Sequence, residues 1–221
     1  MLQWRMPVLE TWLCVLARDP SAAKTRLSGV LEQAPRASLA TAMLQDVLAV
    51  AGAVRFTRRL VITESELVRD AALSAGTEWF HVPASSTNVA ASAAVRHAEN
   101  AGAARVVLLA ADLPYLVPSD LEMLLAEDAR VVIAPDRHLR GTNALVLAPP
   151  STIEPAFGTD SLRVHRERAR EASTRADIVT SRGLATDIDD PEDLRLLLRE
   201  PGVGRHTAEL LESVVFSVAL P

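Results

Sequence analysis

Three stretches of the chain carry residue types that handle phosphate. In "ARDPSAAKTRLSGVL", Ala17–Leu31, the cations Arg18, Lys24 and Arg26 follow directly on the apolar run "VLETWLCVL". A strand leading through a turn into a helix sets such side chains beside the free amides of a helix N-terminus, where a phosphate binds. Lys24 brings a mobile ammonium and Arg26 a forked guanidinium, a pairing suited to a triphosphate and its departing pyrophosphate. No Gly-Lys-Ser/Thr ends the segment, so it is not a Walker loop. Taken alone, three cations in a loop also describe an ordinary solvated surface.

The acids supply what the cations lack. "LLAADLPYL" places Asp112 just past a buried strand, at the edge where open α/β sheets bind ligands. A carboxylate there is costly without a cation or strong donors, which makes Asp112 a candidate metal ligand; a turn cap in "DLP" is the plainer alternative. In "LATDIDDPEDL", Asp187 and Asp189 flank Ile188 and so share one face of an extended segment. Two same-face carboxylates repel unless a cation joins them. Hard oxygen ligands select Mg²⁺, and the chain has no Cys/His spacing for zinc.

Two further stretches offer neutral donors. "RHLRGTNALVL" sets Gly141, Thr142 and Asn143 in a turn before a strand, where Thr142 and Asn143 present a hydroxyl and an amide to an acceptor substrate. "FGTDSLRVHRERA" puts Gly158 and Ser161 at a helix start with His165 and Arg166 one turn on, a second anion site or a simple capped helix. In "VPASSTNVAASAAVRHAE", which runs from a short strand into an alanine-rich helix, Ser85, Ser86, Thr87 and Asn88 exceed what capping needs. The surplus is available to a base or ribose.

These residues need a scaffold that ends its strands beside one another. Five β-branched runs, at 12–17, 59–63, 105–110, 130–134 and 144–148, alternate with helical patterns, as a parallel sheet covered on both faces requires. Leu39, Met43, Val47 and Val50 form one stripe of an amphipathic helix. "VPSDLEML" predicts a helix capped by Ser119 with Glu122 reaching back. "DIDDPEDL" predicts one capped by Asp190, with Pro191 first in the helix and Asp193 favouring its positive end.

At 221 residues, 49% hydrophobic and 23% charged, the chain has the size and composition of one globular domain. Residues 1–10 read as an extension, and 201–221 as a terminal turn and helix ending near Val214, Val215 and Phe216. A net charge of −5 argues against a broad nucleic-acid surface. The glycine turn of "PGVGRHTAELL" does resemble half of a helix-hairpin-helix DNA-binding element. Cys14, the single cysteine, reads as a buried structural thiol in a reducing compartment. No apolar run is long enough to span a bilayer and no signal-type segment opens the chain, so a cytoplasmic protein is expected.

The ordered set "AAKTRL", "AADLP", "GTNAL", "FGTDS…H" and "DIDDPEDL" spans nearly the whole chain. It resembles the guanylyltransferases of deazaflavin-coenzyme (F-420) biosynthesis, which couple GTP to 2-phospholactate or phosphoenolpyruvate. The resemblance implies a single-domain, Rossmann-like α/β fold of the GT-A nucleotidyltransferase type: a three-layer α/β/α sandwich with a mostly parallel sheet and one antiparallel strand. It implies that Lys24 and Arg26, with Arg18 beside them, hold the GTP phosphates, that Asn88 contributes to the nucleotide side, and that Asp112, Asp187 and Asp189 bind Mg²⁺. It further implies that Thr142, Gly158 and Ser161 hold a three-carbon phospho-acid, 3-phosphoglycerate included. The family usually has Lys where this chain has Arg18, and Gly-Leu-Asn where it reads "STN". A molybdopterin or sugar-phosphate nucleotidyltransferase would share the first motif and the aspartates without needing "GTNAL" and "FGTDS". A non-catalytic nucleotide-binding subunit would not need the intact acids and cations. A monomer or homodimer acting on small molecules, with neither nucleic acid nor membrane as partner, is expected.

Overall fold

The computed structural model describes residues 10–83 and 86–213. Strand β1 (Thr11–Leu16) is followed by two single 3-10 turns, Pro20–Ala22 and Thr25–Leu27, before α1 (Gln33–Ala53). Then come β2 (Arg58–Thr63), α2 (Glu66–Ser74), β3 (Glu78–His81), α3 (Thr87–Asn100), β4 (Arg105–Ala110) and α4 (Pro118–Ala126). The second half comprises β5 (Val131–Pro135), β6 (Thr142–Leu147), α5 (Ser161–Glu171), β7 (Ala176–Ile178), α6 (Arg182–Ala185), α7 (Pro191–Arg199) and α8 (Arg205–Glu212).

The strands form one sheet in the order β3-β2-β1-β4-β6-β5-β7. All neighbours are parallel except β6, which runs antiparallel to both β4 and β5. The reason is local: the β5–β6 connection is a short hairpin, and a parallel return needs a crossover. Its turn is tied by Asp136, whose Oδ1 accepts from Arg140 N at 2.8 Å.

The alternation of apolar residues builds two layers. Leu13, Val15, Val61, Val107 and Val146 face α1, α2 and α4, while Trp12, Cys14, Ile62, Leu108 and Leu145 face α3 and α5. This is the expected three-layer sandwich. All five apolar runs are strands, with ends displaced by up to two residues. The short edge strand β7 has no apolar run to announce it. Burial pushes the Cys14 thiol up to about 12, so it is an inert core group.

Helix α1 buries Leu39, Met43 and Val47 as its stripe predicts, yet Ala42, Leu44, Leu48 and Ala51 are buried too. The extra burial arises because α1 lies between the sheet and a third apolar cluster that includes α7 and α8. Helix α4 starts earlier than expected. Pro118 is its first residue, and Asp120, in place of Glu122, reaches back to accept from Val117 N at 2.8 Å. Helix α7 starts as predicted: Asp190 accepts from Glu192 N and Asp193 N at 2.7 and 3.0 Å.

The glycine turn before α8 holds an internal anion. Asp46, buried on α1, accepts from His206 N at 2.8 Å and Thr207 N at 2.9 Å. A Cβ on Gly204 would lie 2.2 Å from the Asp46 Cγ, so only glycine admits the carboxylate. The Gly204 amide donates to Pro114 O at 2.8 Å and so is not free for a phosphate. Val214, Val215 and Phe216 lie outside the described residues, as does Ser85. Among the described residues no helix is long and apolar enough to cross a membrane.

Candidate active site

An apolar floor brings three loops together. Leu27 and Leu31, Tyr115, and Ile188 pack with Leu39 and Met43 of α1 and Leu194 and Leu197 of α7. Each loop thereby anchors itself by buried hydrophobic side chains and carries charged residues beside them: Lys24 and Arg26, Asp112, and Asp187 with Asp189. Near-complete burial of a Leu or Ile side chain contributes about 1.5–3 kcal/mol, enough to hold like charges at close quarters.

Lys24 has a left-handed backbone, φ 54° and ψ 38°, which costs a residue with a Cβ about 1–2 kcal/mol. The ion pairs offset that cost. Its side chain is 6% exposed, and Nζ donates to Asp112 Oδ2 and, at 3.0 Å, to Asp189 Oδ1. Burial opposes the ammonium, but Asp112 and Asp189 outweigh it, so Lys24 holds its proton more firmly than a free lysine. Arg26 is 71% exposed, with Nη1 3.8 Å from Asp189 Oδ2. Both cations lie on the connecting 3-10 turn, well before α1, and so do not stand at a helix N-terminus as the strand-turn-helix reading expects.

Asp187 lies against Asn143, whose Nδ2 donates to Asp187 Oδ1 at 3.1 Å and to Leu184 O at 3.0 Å. Burial, then the charge of Asp112, raises the Asp187 carboxyl to about 7, although the Asn143 hydrogen bond opposes this. A buried carboxyl that resists charge within reach of a second acid is a donor set a hard dication relieves. Mg²⁺ characteristically takes one or two carboxylates plus substrate phosphates and water, so Asp112 and Asp187 fit it. Among the described residues no three metal-binding side chains converge; Asp189 pairs with Lys24 and Arg26, and Asp112 with Lys24.

The segment 187–189 is clamped by a pair that sequence reading missed. Asp193 Oδ2 accepts from Asp189 N at 2.9 Å and Asp190 N at 3.0 Å, while Oδ1 accepts from Arg137 Nε at 2.9 Å and Nη2 at 2.6 Å. One buried carboxylate thus collects four donors. Asp193 was legible as a helix-start acid, but Arg137, 56 residues away, carried no signal.

Thr142 begins β6 beside Asn143, and neighbouring strand residues point to opposite faces. Its Oγ1 is 3.0 Å from His165 Nδ1 and 3.1 Å from Ser161 Oγ. All three side chains are buried. Gly158 has φ +127°, a conformation that L side chains rarely adopt, and its carbonyl accepts from Ser161 N at 3.1 Å. Asn88 grips the same loop: Nδ2 donates to Phe157 O at 3.0 Å and Oδ1 accepts from Phe157 N at 2.6 Å. Both Asn88 and Asn143 thus direct their amides at the protein, where the sequence suggested a nucleotide and an acceptor contact. Arg18 is exposed on a separate cleft with Thr63, Glu64, Ser86 and Thr87, and Ser86 caps α3 by accepting from Val89 N at 3.3 Å.

The arrangement sets a cation–carboxylate cluster and a buried pair of hydroxyls near the C-terminal edge of the parallel strands, on either side of β6. Comparison with known proteins agrees with that chemistry. The family described as "Guanylyl transferase CofC like" matches residues 14–221. The phosphoenolpyruvate guanylyltransferase of Conexibacter woesei is 37% identical over 220 residues, covering 94% of this chain and 97% of its own. The 3-phospho-D-glycerate guanylyltransferase of Phenylobacterium zucineum is 36% identical, covering 89% and 93%. A solved structure from Desulfovibrio desulfuricans G20, described as a nucleotide-diphospho-sugar transferase, superposes with a TM-score of 0.73 at 17% identity, covering 94% and 93%, a likeness of fold alone. With a family match running from β1 to the last residue, this chain belongs to the CofC-like guanylyl transferases.

Proposed function

We propose that the protein transfers the guanylyl group of GTP to the phosphate of a three-carbon phospho-acid: phosphoenolpyruvate, 2-phospho-L-lactate or 3-phosphoglycerate. The observation that carries this reading is the buried Lys24 clasped by Asp112 and Asp189. A phosphate oxygen of the acceptor attacks the α-phosphorus of GTP; that P–O bond forms as the bond to the β-phosphate bridging oxygen breaks, and pyrophosphate leaves. The acceptor phosphate is already ionised at neutral pH, so no side-chain nucleophile is required.

Catalysis then rests on positioning and charge neutralisation. Lys24 and Arg26 bind the phosphates of GTP, and the neighbouring cleft that Arg18 lines with Ser86 and Thr87 takes the rest of the nucleotide. Asp112 and Asp187 would hold Mg²⁺, which supplies further neutralisation of the phosphates when bound. Asp189 sets the Lys24 and Arg26 side chains, and Asn143 sets Asp187. Thr142, Ser161 and the Gly158 loop receive the phospho-acid, and Asn88 steadies that loop. The resemblance to deazaflavin-coenzyme guanylyltransferases supports a role in that pathway, and the nucleotide substrate with a single buried thiol suits the cytoplasm.

The test is pyrophosphate release with each nucleoside triphosphate against a panel of phosphoenolpyruvate, 2-phospholactate, 3-phosphoglycerate and sugar phosphates, with products identified by mass. Turnover confined to sugar phosphates would overturn the reading.

A further inference from the structure

The buried Thr142–Ser161 hydroxyl pair is wired at one end to a group that can only donate. Ala156 N donates to His165 Nε2 at 2.8 Å, so Nε2 carries no hydrogen. The ring is fully buried, edge-on to Phe157 with centroids 5.5 Å apart, and Arg168 repels a charge on it, so it is neutral. A neutral ring with a bare Nε2 has its hydrogen on Nδ1. That hydrogen can only go to Thr142 Oγ1, 3.0 Å away. Thr142 and Ser161 then share one hydrogen bond, at 3.1 Å. Whichever donates, one hydroxyl hydrogen is left with no acceptor among the described residues. A buried donor in that state costs about 1–3 kcal/mol until an acceptor meets it.

We infer that His165 is a positioning residue for the acceptor: it fixes the direction of the chain Ala156–His165–Thr142–Ser161 so that the hydroxyl pair presents a hydrogen to an anionic oxygen of the phospho-acid. With the opposite tautomer, Thr142 would have to donate to His165, and the pair would lose its outward donor. The pocket would then meet a carboxylate or phosphate with lone pairs. This rests on the proposed acceptor role of Thr142 and Ser161 and adds a residue that never touches substrate. The motif "FGTDS…H" contains the histidine. Its purpose becomes visible only through Ala156, nine positions earlier.

The experiment compares wild type with Thr142→Val, His165→Leu, His165→Asn and the Thr142→Val/His165→Leu double variant. For each, KM for the acceptor, KM for GTP and kcat are measured, with circular dichroism to confirm the fold. A hydrogen bond to a charged group is worth about tenfold to hundredfold in affinity. His165→Leu is expected to raise the acceptor KM by that factor with GTP KM unchanged. His165→Asn, whose amide can stand in for Nδ1–H, should recover most of it, and the double variant should be no worse than Thr142→Val. A purely structural role would lower kcat through loss of active enzyme and leave the acceptor KM alone. An unchanged acceptor KM in His165→Leu, or multiplying effects in the double variant, overturns the inference. If His165→Leu does not fold, ¹⁵N NMR of the wild-type imidazole decides: hydrogen on Nδ1 supports the wiring and hydrogen on Nε2 refutes it. If Thr142→Val also leaves the acceptor KM unchanged, the acceptor site itself is misassigned, whereas an effect of Thr142→Val alone confines the failure to His165.

Discussion

The two halves of the site are built on opposite principles. Around Lys24 acids and cations pair directly, from the buried Lys24 to the exposed Arg26, above an apolar floor. Around Thr142 they are neutral, buried, and oriented bond by bond from a backbone amide. Coulomb attraction falls off slowly and tolerates displacement, so the first design suits a flexible triphosphate and a metal. Hydrogen bonds are short-ranged and directional, so the second suits a small acid whose oxygens must arrive in one orientation.

The comparison is most severely tested at the charged half. Asp112→Asn retains shape but removes the charge proposed to hold Mg²⁺ and a partner of Lys24; turnover should fall about a thousandfold, with circular dichroism unchanged. Full activity would show that the charged cluster is not the metal side. Removing a support in place of a ligand should do less. Arg137→Met leaves Asp193 without its guanidinium and loosens the 187–189 segment. The Mg²⁺ concentration for half-maximal rate should rise about tenfold to hundredfold, with acceptor KM steady.

The neutral half should betray itself through pH. Burial first, then Arg168, lowers His165 from 6.5 to about 4. Because its folded value lies below the unfolded one, the unfolded chain takes the proton first and acid favours unfolding. His165 therefore costs no stability above about pH 6.5, and stability declines as pH falls from there toward 4. Urea melts at pH 7 and pH 5 should differ by about 2 kcal/mol from this group, a difference that His165→Asn abolishes. The smallest effect belongs to Arg26, which is 71% exposed. Arg26→Ala should raise the GTP KM only several-fold, and added salt should shrink the gap.

The sheet was legible because each main strand is a continuous apolar run, and the charged residues were legible because they punctuate such runs. Asp112 follows "RVVLLAA" and Asp187 and Asp189 flank a lone isoleucine. What escaped was direction. Asn88 and Asn143 are amides at loop edges, and nothing local says whether such a group faces a ligand or a neighbouring backbone. The pairing of Asp112 and Asp189 with Lys24 and the clamp of Arg137 on Asp193 join residues remote in sequence. At α4, proline at the first helical position overrode the serine cap, moving the reciprocal acid to Asp120.

Strand β6 gives the two halves a common ruler. Its first residue belongs to the hydroxyl pocket and its second to the aspartate cluster, on opposite faces of the sheet. A one-residue slip between β4 and β5 would exchange those faces, aiming the amide at α5 and the hydroxyl at Asp187. Insertions at the exposed tip 138–140 that leave Asp136 and Arg137 in place are therefore tolerable in engineered forms, while a single residue added or lost within β6 would disturb both proposed sites together.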